Sequence, residues 1–135
     1  MQKTNKFSLV FLVIVGLAFL SIAIPAFINP QSIMDNVQVT LGNTSALNSV
    51  RAMYGGVNLF FGLYLLYAAF KKQETGLILV FLYCAGFMVG RIYSLFAEGN
   101  PSQFIITWLC IESTLTILSI LLLRKLQKKN LATQL

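Results

Sequence analysis

Four apolar runs, each about 20 residues long, limit what this chain can fold into more than any other feature. They lie at residues 7–27, 48–70, 76–97 and 103–123. A helix of that length rises about 30 Å, the thickness of a bilayer's hydrocarbon core. Little chain is left for a soluble domain. The reading is therefore all-α: an integral membrane four-helix bundle with antiparallel helices, one domain over residues 1–135. Composition agrees, because only 10% of the residues are charged, against about 25% in a soluble domain. Lys3 and Lys6 before the first run raise a secretory leader as a rival reading. The run is longer than such a leader's apolar segment and no A-x-A site follows it, so it is read as a membrane helix.

The net charge of +6 points to a membrane surface and not to nucleic acid. Lys3, Lys6, Lys71, Lys72, Arg124, Lys125, Lys128 and Lys129 all flank apolar runs, and no basic groove interleaved with aromatics exists. The connectors at 28–47 and 98–102 carry only Asp35 and Glu98. All these basic segments fall on one side when both termini are cytoplasmic, which sets the expected orientation. In the long connector, Asn29-Pro30 reads as a helix start, with Ile33, Met34 and Val37 on one side of a short surface helix. Asn100-Pro101 repeats the signal before the fourth run.

Four polar residues stand inside the runs: Arg51, Asn58, Arg91 and Glu112. Ionised groups in hydrocarbon persist when paired and hydrogen-bonded. Counted from the flanking cations at the helical rise, Arg51 and Arg91 lie about 30 and 28 Å up, and Asn58 and Glu112 about 20 and 18 Å. At about 100° per residue, Arg51, Tyr54 and Asn58 share one stripe on the second helix, with Gly55, Gly62 and Ala69 along or beside it. Cys84, Phe87, Arg91 and Glu98 align on the third, and Trp108, Glu112, Thr116 and Ser119 on the fourth. Turned inward, these stripes place Glu112 opposite Asn58 and bring Arg91 down to the carboxylate, with Tyr54 between the levels. Two arginines then face one glutamate, leaving a spare positive charge at the mouth. The expected site is a polar pocket of Arg51, Tyr54, Asn58, Arg91 and Glu112 for an anionic lipid headgroup or a small polar molecule. The rival reading makes the same residues interhelical glue in a structural protein without a ligand.

Catalysis has little support. Histidine is absent, no serine has a base partner, and Cys84 and Cys110 lie singly in apolar runs as small buried hydrophobes. No catalytic residue, metal ligand or cofactor is assigned. Gly86 and Gly90 form a G-x-x-x-G on a second face of the third helix, suited to an internal contact or to a homodimer or larger membrane complex.

"RAMYGGVNLFFGLYLLYAAF" and "GRIYSLFAEGNPS" resemble the signature segments of a bacterial four-helix membrane family, domain of unknown function 4345. Its pattern maps to Arg51, Ala52, Tyr54, Gly55 and Gly56, then to Gly90, Arg91, Ser94, Gly99 and Pro101, and finally to Glu112. The resemblance implies a four-helix protein of the bacterial cytoplasmic membrane and supplies no activity. The chain is also similar, more distantly, to the DoxX-like group, some of whose members are linked to quinone or thiol redox systems. That implies, as a second expectation, a quinone-binding or accessory subunit of such a system.

Overall fold

The computed structural model describes residues 4–132. Lys3, one of the topology-setting cations, lies outside them. All regular structure among the described residues is helical: α1 (Lys6–Ile28), α2 (Gln31–Asp35), α3 (Thr44–Val50), a π-helical segment (Arg51–Val57), α4 (Asn58–Lys71), α5 (Gln73–Ala97) and α6 (Gln103–Ala132). α3, the π segment and α4 run on as one helix, Thr44–Lys71. With Lys6–Ile28, Gln73–Ala97 and Gln103–Lys129 they make four helices long and apolar enough to cross a membrane. Large apolar side chains face outward on every span, Ile14, Phe60, Leu82 and Ile117 among them, while Asn58, Glu112, Thr116 and Ser119 are buried. Apolar outside and polar inside is the partition a membrane selects.

The helix ends follow from local chemistry. Asn5 caps α1 by accepting from the N–H of Phe7 and Ser8 at 3.0 and 3.4 Å. Asn43 caps α3 through the N–H of Ala46. Lys72 alone separates α4 from α5. α5 ends at Ala97 with Glu98 as its C-cap, and Gly99 follows with a φ of +92°, which suits a glycine just past a helix. The Ser102 carbonyl accepts the first bonds of α6, from Ile105 and Ile106. α6 continues to Ala132, well past residue 123. Arg, Lys, Leu and Gln are good helix formers, so a charged segment leaves the membrane without ending the helix.

Close packing is concentrated toward the end that carries the lysines. There Gln73, at the start of α5, accepts from the Asn5 N–H at 2.9 Å and donates to the carbonyls of Asn5 and Ala69. Gln127 of α6 donates to Glu74, and the Lys125 ammonium sits 4.6 Å over the Phe7 ring. Glycines let backbones meet. A Cβ on Gly62 would lie 2.9 Å from the Gly16 carbonyl, and one on Gly76 would lie 2.9 Å from Ala68 Cβ. Leu12, Leu65, Leu77, Val80 and Leu126 fill the space between with no exposed surface. Phe19, Phe61 and Tyr83 cap this lysine half with ring centroids 4.8 to 4.9 Å apart.

The other half, where the connectors lie, is packed on one side only. Ala23, Ala26 and Val50 are buried and the Phe27 ring lies on Gly55. Beyond Cys84 no residue of α5 is buried, and before Glu112 none of α6 is. The connector folds over this gap. Gln31 donates to Asp35 and to the Val39 carbonyl and accepts from the Leu41 N–H, stapling residues 31–41 into a tight loop. α2 begins one residue after Pro30, and Val37 lies beyond the helix rather than on its face. Gln38 adopts a φ of 57°, the left-handed region that few non-glycine residues occupy.

Candidate functional site

The loop half contains an open cleft of about 1060 Å³. One wall is the face of α5 bearing Tyr83, Gly86, Phe87, Gly90 and Arg91. Val37 and Val39 of the stapled connector form another, so the left-handed turn at Gln38 falls between two lining residues. Ser94, Glu98 and Asn100 form a polar rim. The floor is aromatic, Tyr83 and Phe87 stacking at 4.9 Å. From floor to rim the wall changes from apolar to polar over about 20 Å of helix.

Arg91 sits part-way up. Its Nε donates to Glu112 Oε2 at 2.7 Å and its Nη2 to Oε1 at 3.0 Å, a bidentate pair linking α5 to α6. Glu112 is 7% exposed. The Arg91 side chain keeps 21% of its surface and its guanidinium lies 5.8 Å from the Phe87 ring. Two of the five guanidinium N–H groups are used on Glu112, and the other three make no hydrogen bond among the described residues.

The remaining expected site residues are dispersed. Asn58 is buried, but its Oδ1 accepts from the Tyr83 hydroxyl at 2.8 Å and makes no hydrogen bond with Glu112. Arg51 is exposed and donates to the Phe27 carbonyl at 3.2 Å, at the end of α1. Tyr54 is half-buried and makes no side-chain hydrogen bond among the described residues. The cause is the π segment. Its wider turn breaks the 100° progression across residues 51–57, so Arg51 and Asn58 do not continue one straight stripe. Of the five expected residues, Arg91 alone lines the cleft.

Other expectations change or narrow. The spare positive charge is not in the cleft, because Arg51 is held away from it. The charge that does line it without an ion-pair partner among the described residues is Glu98, which the sequence marks only as a connector acid. Gly86 and Gly90 make no close helix contact among the described residues: a Cβ on either would meet nothing within 4 Å. Cys84 is buried as expected, whereas Cys110 faces outward. Tyr83 was missed. Its signal was a phenol hydroxyl at mid-span, a group that seeks a partner when buried.

The family model described as Domain of unknown function (DUF4345) matches residues 7–123. The chain belongs to that family. The DUF4345 match reaches into all four spans and includes the π segment and the Arg91–Glu112 pair. No curated protein and no solved structure matches the chain.

Proposed function

We propose that the protein is a multi-pass protein of the bacterial cytoplasmic membrane that binds an amphiphile in the cleft of its loop half. Its helices form an antiparallel four-helix bundle with both termini and all the lysines on the cytoplasmic side. The polar head accepts hydrogen bonds from the free N–H groups of Arg91, and the chain lies along Gly86, Phe87 and Tyr83. The observation that carries this reading is a bidentate Arg–Glu pair whose arginine still faces an open cleft. Carboxylate pairing fixes the guanidinium in place, and Gly90 and Gly86 below it keep the wall flat enough for a chain. Asn58 positions the Tyr83 hydroxyl, while Glu112 positions Arg91. Arg51 and Tyr54 are assigned to the fold.

Native mass spectrometry of protein extracted from bilayers tests the proposal. The wild type is expected to retain lipid. Gly90→Trp, which puts an indole where a Cβ meets nothing within 4 Å, is expected to lose it with folding intact. Equal retention by both overturns the reading. A second reading, a quinone-class ring on the cleft floor, is favoured by the stacked Tyr83 and Phe87 rings. It requires quinone to co-purify, and repeated absence of its absorbance removes it.

A further inference from the structure

The polar groups of the cleft are unevenly charged, and that restricts the head it accepts. Glu112 balances Arg91 through two hydrogen bonds. Glu98 lines the rim with no ion partner among the described residues. Arg51, the other arginine of this half, donates to the Phe27 carbonyl and does not line the cleft. The local sum of Arg91, Glu112 and Glu98 is therefore one negative charge. A net anion gains hydrogen bonds at Arg91 but meets uncompensated negative charge at the rim. A head with an acceptor deep and a cation shallow meets both groups in their preferred order.

We propose that the cleft selects a zwitterionic phospholipid from the surrounding bilayer over an anionic one. This rests on the amphiphile reading above and adds the class of head. Arg91 and Glu98 are seven residues apart on α5, hence on nearly the same face and about 10 Å apart along the axis. Ser94 and Asn100 line the wall near them. The phosphodiester accepts from the free N–H groups of Arg91. The ammonium lies toward the Glu98 carboxylate, with the Ser94 hydroxyl, between the two along α5, donating to the phosphodiester oxygen on the ethanolamine side. The acyl chains run down over Gly90, Gly86 and Phe87, where no side chain obstructs them. Glu98 is exposed, so water screens its attraction and the selectivity is modest.

The test uses the full chain in nanodiscs of equal phosphatidylethanolamine and phosphatidylglycerol, with retained lipid counted by native mass spectrometry. The wild type is expected to enrich the ethanolamine lipid by roughly two- to fivefold over the bilayer. Glu98→Gln, at an exposed position, should return the ratio to that of the bilayer while lipid is still retained. Enrichment of the glycerol lipid, or a ratio that Glu98→Gln leaves unchanged, overturns the selectivity while the cleft reading stands. Retention that Gly90→Trp does not reduce overturns the cleft reading itself.

Discussion

In the lysine half, glycine and alanine bring backbones into contact and Gln73 seals the corner with three hydrogen bonds. In the loop half, α5 and α6 expose every residue beyond Cys84 and before Glu112 to at least some degree, and the Arg91–Glu112 ion pair joins these two helices to each other. Lipid tails are as apolar as leucine, so burial alone does not drive helices together in a bilayer. Close backbone approach and interhelical hydrogen bonds do. The first half has both in abundance. The second joins α5 to α6 through one bidentate ion pair and leaves an open wall of α5 beside it, as the proposed site requires.

Substitutions sharpen this contrast in a graded order. Glu112→Leu should have the largest effect, about 3 kcal/mol of lost stability, because it leaves the Arg91 charge without its buried partner. The double variant Arg91→Met with Glu112→Leu should recover most of that loss in thermal unfolding in detergent; no recovery would mean the pair is not the coupling. Gly62→Val comes next, at about 1–3 kcal/mol, since even its Cβ would meet the Gly16 carbonyl at 2.9 Å. Tyr83→Phe removes one hydrogen bond to Asn58 and should cost about 0.6 kcal/mol, the average for such bonds between membrane helices. Gly86→Ala should stay within about 0.5 kcal/mol of the wild type, because its Cβ meets open space. If Gly86→Ala destabilises as much as Gly62→Val, the two halves are not packed differently.

Much of this was legible before any coordinates. Four long apolar runs become four spans, and the Arg91–Glu112 pair follows from hydrocarbon's intolerance of lone charges. Gly62 and Ala69 could be read as a close-contact stripe from their seven-residue spacing, and both are buried. What escaped was phase. A π segment changes the angle per residue, and nothing in the pattern of Arg51, Tyr54 and Asn58 announces it, although Gly55 and Gly56 lie within it. The cleft escaped for a different reason. It depends on a connector whose shape is set by side-chain staples from Gln31, and on open space beside Gly86 and Gly90 among the described residues. Periodicity identifies a face suited to close contact but not whether the chain supplies the neighbour. Glu98 likewise acquires meaning only once the cleft beside it exists.

The central claim is that the open wall of α5 is a site and not a gap that closes in lipid. A high-resolution structure of the full chain in native lipid tests it most directly. The account predicts continuous elongated density along α5 from Phe87 to Glu98, with a polar head within hydrogen-bond distance of Arg91. A structure in which Val37 and Val39 pack against Gly86 and Gly90, with no density between them, would contradict it.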